Sequence, residues 1–260
     1  MTYSENIRRI YDELDRAPEL TPSPRINELF SALVRAVTSC MDDERAPLTA
    51  TETARLQDMC SRGEFELERH WAERITTAAH PEEELRRFPY LQNYRDLTTL
   101  EWSAFRECQQ HAEHRVLFCG GGPLPLTAIM LAREFHVPST VLDVDPSAVA
   151  AASALVERLG LTEHIRIVHA DAMRFTAYDE YSVIFVAALA GLMPQEKEHI
   201  FAAIKAHAKP DTHIIARSSW GNRKLLYRPL SKHIEQQFQP VLRVDPRNDV
   251  VNSVVILKTP

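Results

Sequence analysis

The sequence predicts an α/β protein in which a doubly wound sheet follows an all-helical domain. Three observations carry this reading. The first 119 residues hold a single glycine, Gly63, and are rich in Glu, Arg, Leu and Ala, a composition that favours helices. After residue 114, short apolar runs alternate with amphipathic stretches, the pattern of βαβ units. Gly120, Gly121 and Gly122, three of only seven glycines, follow the first of those runs. The expected division is a helical domain over residues 1–114 and a doubly wound domain over residues 115–260.

The elements follow in order. From Asn6 to Arg16 the residues Ile7, Ile10, Tyr11 and Leu14 form one helical stripe. Pro18-Glu19-Leu20-Thr21-Pro22-Ser23-Pro24 breaks the chain, because proline disfavours helix at itself and just before it. Ile26 to Cys40 resumes the helical period through Leu29, Phe30, Leu33 and Val37. A third helix is expected from near Thr51, capped by that residue, with Leu56, Met59, Cys60, Gly63, Leu67 and Trp71 facing inward. A fourth stretch runs from about Glu82 through Phe88 and Tyr94 to Cys108, kinked or interrupted at Pro89. Strands are then predicted at Arg115–Cys119, Ser139–Val144, Ile165–His169 and Ser182–Val186, with helices at Thr127–Phe135 and Ser147–Leu159. Thr212–Arg217 and Val250–Leu257 complete the predicted sheet.

Composition removes several classes. The formal charge is −6, from 36 acidic and 30 basic residues, which argues against a protein that grips the nucleic-acid backbone. No run approaches the roughly 20 apolar residues of a membrane span. The start, Met1-Thr2-Tyr3-Ser4-Glu5, lacks an apolar signal region, so a cytoplasmic location is expected. Cys40, Cys60, Cys108 and Cys119 are widely spaced and form no C-x-x-C pair, which points to reduced thiols. The histidines show no metal-binding spacing: His70 and His80 lie ten apart, His199 and His207 eight apart. No metal is expected.

In a doubly wound sheet the turn after the first strand must hug the ligand, so side chains are removed there. Gly120, Gly121 and Gly122 occupy that turn. Asp143 closes the next strand, 21 residues beyond Gly122, where a carboxylate can accept from both ribose hydroxyls of a nucleoside. Asp171 ends the third strand, where it can face an adenine amino group. Together these positions match a Rossmann-like S-adenosylmethionine (SAM) site. A dinucleotide fingerprint would require glycine at Pro125. Pro123, Leu124 and Pro125 stiffen the loop into a preformed wall. Taken singly, the glycines read as a plain loop, Asp143 and Asp145 as strand-end caps, and Asp171 as a turn residue.

Gly120-Gly121-Gly122-Pro123-Leu124-Pro125-Leu126-Thr127 resembles the signature of the nicotianamine synthase family. The likeness continues at Val186-Ala187-Ala188-Leu189-Ala190, at Arg217-Ser218-Ser219-Trp220-Gly221-Asn222-Arg223 with Leu226-Tyr227, and at Val251-Asn252-Ser253-Val254. Upstream, Arg86-Arg87-Phe88 and Tyr94 look like the helix that enters the family's active site. The matching motifs run from about residue 68 to residue 257, and residues 1–60 match only as helical texture. The resemblance implies a cofactor site made of Gly120, Gly121, Gly122, Pro123, Leu124, Pro125, Thr127, Asp143, Asp171, Ala172, Ala187, Ala188 and Leu189. It also implies transfer of the 3-amino-3-carboxypropyl (2-aminobutanoyl) arm of SAM, not its methyl, onto an amine, with release of methylthioadenosine. The chain looks most like a bacterial branch that performs one transfer onto histidine in opine-type metallophore synthesis, its product passing to an opine dehydrogenase. A homodimer is compatible with this reading.

Such chemistry needs an uncharged amine, and a carboxylate general base with a raised pKa supplies one. Glu68 is the candidate: it stands beside Leu67 and one turn before Trp71, at the border of the apolar stripe, where burial would raise its pKa. The family alignment also puts its catalytic glutamate there. The alternative is a solvated helix glutamate among Glu64, Glu66 and Glu73. Tyr94 is expected to orient the amine or the donor arm. Arg217, Arg223 and Tyr227 are expected to bind the substrate carboxylates. Trp220 either packs over the nucleoside or fills the core. Because base and cofactor loop lie in different domains, the helical domain is expected to act as a lid. Three alternatives stand beside this reading: repeated additions as in nicotianamine synthesis, a SAM-dependent N-methyltransferase, and a SAM-sensing or histidine-binding protein without turnover.

Overall fold

The computed structural model describes residues 2–39, 47–109 and 114–260; Met1 and Cys40, the expected end of the second helix, lie outside them. Five helices come first: α1 (Tyr3–Asp15), α2 (Pro24–Ser39), α3 (Ala50–Thr77), α4 (Pro81–Arg86) and α5 (Leu91–Cys108). The cap of α3 is Thr49 and not Thr51. The Thr49 hydroxyl accepts from the Glu52 N–H at 3.3 Å, and the Glu52 carboxylate accepts from the Thr49 N–H at 2.8 Å, a reciprocal capping box. The expected break at Pro89 falls between α4 and α5.

The sheet follows as β1 (Val116–Cys119), β2 (Ser139–Asp143), β3 (Ile165–His169), β4 (Val183–Val186), β5 (His213–Ser218), β6 (Gln239–Val244) and β7 (Ser253–Lys258). Between the strands lie α6 (Leu126–Glu134), α7 (Pro146–Arg158), α8 (Pro194–His207) and the short α9 (Lys232–Glu235). The strand order is β3-β2-β1-β4-β5-β7-β6. Strands β1 to β5 pair in parallel, while β7 runs antiparallel to both β5 and β6. The strand predicted at Val250–Leu257 is thus present as the antiparallel β7. A parallel β7 would need a long crossover, whereas β6 leads into it through the short connection 245–252.

Two cores hold the molecule. In the larger, Trp71, Ile75, Leu85, Phe88, Trp102 and Phe105 of the helices pack in one cluster with the buried strand residues. In the smaller, Ile7, Ile10, Leu29, Leu33 and Leu56 pack with Leu225, Leu226 and Val251 from the carboxyl end of the sheet. A Cβ on Gly63 would run into the Phe30 ring, so the one glycine of the helical half lets α2 close on α3. The N-terminal helices thus cover the C-terminal ends of the strands, where an open α/β sheet places its ligand crevice. Among the described residues no helix is long and apolar enough to cross a membrane. Cys60, Cys108 and Cys119 are free thiols.

Candidate functional site

The strand order reverses at β1, and the crevice above β1 and β4 opens into a cavity of about 610 Å³. Gly120 to Gly122, Asp143, Ala170 to Met173 and Ala187 to Gly191 line it. The Gly122 N–H donates to Asp143 Oδ2 at 2.8 Å and the Asp145 N–H to Asp143 Oδ1 at 2.9 Å, so the carboxylate is fixed against the glycine turn. Asp171 is fixed likewise, accepting from the Met173 N–H at 2.9 Å. Gly122 has φ +64°, a backbone conformation that favours glycine. The cavity thus gathers Gly120, Gly121, Gly122, Leu124, Pro125, Thr127, Asp143, Asp171, Ala172, Ala187, Ala188 and Leu189. Pro123 is buried and lines neither this cavity nor its neighbour.

The neighbour is an inner cavity of about 210 Å³ under α2, α3 and α5. Its wall includes Ile26, Phe30, Cys60, Phe88, Tyr227 and Val251. Glu64, Glu68, Tyr94 and Asn252 line both spaces, so these four side chains form the partition between them. No Lys, Arg or His lines the inner cavity among the described residues.

Glu68 is 8% exposed. Burial, followed by the charge of Glu64 and that of Asp143, pushes its carboxyl well above the usual carboxylate range, against the Tyr94 hydrogen bond. Burial also raises Glu64, opposed by hydrogen bonds from Tyr227 and Tyr94. The Tyr94 hydroxyl lies 2.9 Å from Glu68 Oε1 and 3.1 Å from Glu64 Oε1, and the Tyr227 hydroxyl donates to Glu64 Oε2 at 2.6 Å. A phenol has one proton to give, so both Tyr94 contacts are hydrogen bonds only when one carboxyl is protonated. Burial raises both carboxyls, and the Tyr94 hydroxyl bridges them. Burial raises both tyrosines well above their ordinary value, with the carboxylates adding to it, and this keeps them as donors.

Arg217 enters the larger cavity from β5 and forms a two-pronged ion pair with Glu101 of α5, at 2.7 and 2.9 Å. Its Nη2 also donates to Thr127 at 2.6 Å, and among the described residues no hydrogen bond engages Nη1. Burial works against this charge, but Glu101 outweighs it and the pKa is raised. The expectation that Arg223 meets a substrate carboxylate is corrected. Its guanidinium is buried on the carbonyls of Asn248 (2.7 Å) and Val250 (3.3 Å), and it lines neither cavity. Trp220 packs against that guanidinium, donates to the Pro246 carbonyl, and lies outside both cavities. Tyr227 reaches the inner cavity, where its first partner is Glu64.

Sequence reasoning did not single out Glu64, Glu101 or Asn252 as site residues. Glu64 stands four residues before Glu68, on the same helical face as Cys60 and Gly63, and that acidic pair inside an apolar stripe was the available signal. Among the described residues no group of three His, Cys, Asp or Glu side chains could hold a metal ion.

Comparison with known proteins identifies the family and the fold. The profile of the family described as nicotianamine synthase protein matches residues 1–260, so the match takes in the N-terminal helices as well as the later motifs. Nicotianamine synthase 1 of Arabidopsis thaliana is 31% identical over 264 residues, covering 96% of this chain and 81% of its own. Nicotianamine synthase 9 of Hordeum vulgare is 34% identical over 256 residues, covering 93% and 74%. The crystal structure of a glutamate-to-glutamine mutant of MtNAS superposes with a TM-score of 0.86 at 25% identity, covering 100% of this chain and 99% of that one. The N-methyltransferase NodS of Bradyrhizobium japonicum, at 16% identity and a TM-score of 0.51 over 74% of this chain, shares the fold alone.

Proposed function

This chain belongs to the nicotianamine synthase family, and from that premise we propose that it transfers the 3-amino-3-carboxypropyl arm of SAM onto the amine of histidine and releases methylthioadenosine. The observation that carries the proposal is the partition of Glu64, Glu68, Tyr94 and Asn252 between two cavities. The larger space has the glycine turn and the two strand-end aspartates that suit a nucleoside donor. The smaller has the size and the acidic wall that suit a small amine, and its lack of cations disfavours an acceptor with a second carboxylate. An imidazole side chain meets that condition.

SAM and an amino-acid ammonium both bring positive charge to the partition, and opposite charge stabilises the ionised carboxyl, so Glu68 loses its proton when the site fills. The carboxylate then takes a proton from the acceptor ammonium. The freed nitrogen lone pair attacks the arm's sulfur-bound methylene carbon in line with the carbon–sulfur bond, at about 3–3.5 Å. The bond electrons move to sulfur, which leaves as a neutral thioether, and the new secondary ammonium sheds its extra proton. Tyr94 holds Glu68 in place and offers its proton along the path to Glu64. The arm has to face the partition and the methyl has to face away.

Incubation with SAM and D-histidine, L-histidine or no acceptor, with both products identified, tests this reading. Methylthioadenosine with a histidine adduct supports it; S-adenosylhomocysteine indicates methylation instead. The relatives' own names favour a second reading, repeated additions that build nicotianamine. The product mass separates one transfer from several. If one transfer occurs, the product keeps a primary amine on the added arm. An opine dehydrogenase could then join that amine to an α-keto acid.

A further inference from the structure

We propose that Asn252, together with Arg217 Nη1, holds the carboxylate at the end of the arm of SAM that is transferred, and so decides which carbon faces the acceptor. Asn252 is 7% exposed, lies in the partition, and its amide Nδ2 has no hydrogen-bond partner among the described residues. A buried amide donor left unpaired is costly, and native structures rarely keep one without a purpose. The partner it calls for is an acceptor of hydrogen bonds. Of the groups expected on the donor side, the sulfonium and the arm's ammonium are not acceptors, whereas the arm's carboxylate is.

The fold points to the same ligand. Arg217 of β5 stands opposite Val254 of β7, and Asn252 lies just before β7, so both residues sit at the carboxyl end of the parallel sheet and both line the larger cavity. Two polar side chains on the wall of one cavity can bracket one carboxylate. Arg217 lines the larger cavity only, while Asn252 lines both, so the bracket lies on the donor side of the partition. The contacts that commit the Arg217 fork, two with Glu101 and one with Thr127, leave its remaining nitrogen for the ligand. A carboxylate anchored there draws the arm toward Glu68 and leaves the methyl on the opposite side of the sulfur.

The inference rests on SAM being the donor, and its test separates the two ideas. Calorimetry on the full chain compares SAM, decarboxylated SAM and methylthioadenosine, the last two lacking the arm carboxylate. Asn252→Ala is expected to weaken SAM about 10- to 100-fold, the scale of a lost hydrogen bond to a charged group, with the other two ligands within about twofold. Asn252→Asp keeps the shape and adds a repelling charge, so it is expected to weaken SAM at least as much; it carries the test if the alanine variant does not fold. Equal losses for SAM and methylthioadenosine would assign Asn252 to the shape of the groove and overturn the proposal. An unchanged SAM affinity with a raised acceptor KM would assign it to the acceptor and overturn it as well. Failure of the unsubstituted protein to bind SAM or methylthioadenosine would remove the donor itself.

Discussion

The Oε2 oxygen of Glu68 lies 2.5 Å from where a β-carbon on Gly122 would stand. A glutamate of α3 therefore touches the cofactor turn at a place that only glycine leaves open. The same glycine has φ +64° and hands its N–H to Asp143. One position thus couples the expected base, the expected ribose carboxylate and the turn between them.

Gly122→Ala tests that coupling. The left-handed backbone alone costs a side-chain-bearing residue about 1–2 kcal/mol. The new methyl would also displace Glu68 from the partition. The expected outcome is a lower melting temperature together with a fall in kcat larger than the stability loss explains, measured where the variant is still folded. A variant with normal kcat would mean that Glu68 works from another position.

Glu68→Gln keeps the shape and removes the titration. Turnover is expected to fall at least about a hundredfold, the scale of a lost general base, with SAM affinity retained. Stability should move the other way. A carboxyl whose folded pKa is raised binds more protons folded than unfolded, so stability falls as pH rises from the ordinary value of 4.5 through the raised folded value. The glutamine variant does not suffer that loss. Without ligand, thermal scans should show its melting temperature above that of the unsubstituted protein at neutral pH, and the two converging at about pH 3, below the ordinary glutamate range.

What the sequence made legible, and what it hid, follows from the same physics. Val116–Cys119 and Val183–Val186 are buried on both faces and read as continuous apolar runs. Strand β6 is exposed over almost its whole length, with Pro240 at the edge, and carries no such pattern. Helix α8 buries only Ile200, Phe201 and Ile204, too thin a stripe to stand out. Within the site, the glycine turn and the two aspartates are local features and were visible. The partners of Arg217 and Glu68 were not, because Glu101 lies 116 residues from Arg217 and Tyr94 lies 26 from Glu68. The Arg223 reading failed because a cation beside a loop looks the same in sequence whether its partner is a ligand or a backbone carbonyl.

Glu64→Gln separates the two acids of the partition. The charge of Glu64 raises Glu68, so removing it lowers the Glu68 pKa. A base is active when ionised, and a lower pKa lets it ionise in more acidic solution. The acidic limb of the kcat profile should therefore shift to lower pH, while the Tyr227 hydroxyl keeps an oxygen to donate to. An unchanged limb would show that another group sets it; a shift to higher pH would show that the Glu64 charge does not raise Glu68.

The ion pair of Arg217 and Glu101 is 7% and 0% exposed at its two side chains, and it has two jobs that one substitution cannot separate. Glu101→Gln leaves a buried cation without its counter-charge, which costs about 3–5 kcal/mol. Arg217→Met leaves the converse, a buried carboxylate without a cation, at similar cost. Replacing both by apolar residues removes both charges together, and such exchanges are often neutral for stability. The double variant Glu101→Leu with Arg217→Met is therefore expected to melt above either single variant. Its SAM affinity should nevertheless be reduced, because Nη1 is gone from the groove. Normal SAM binding by a well-folded double variant would confine Arg217 to the structure of the sheet edge and leave the donor carboxylate to Asn252 alone.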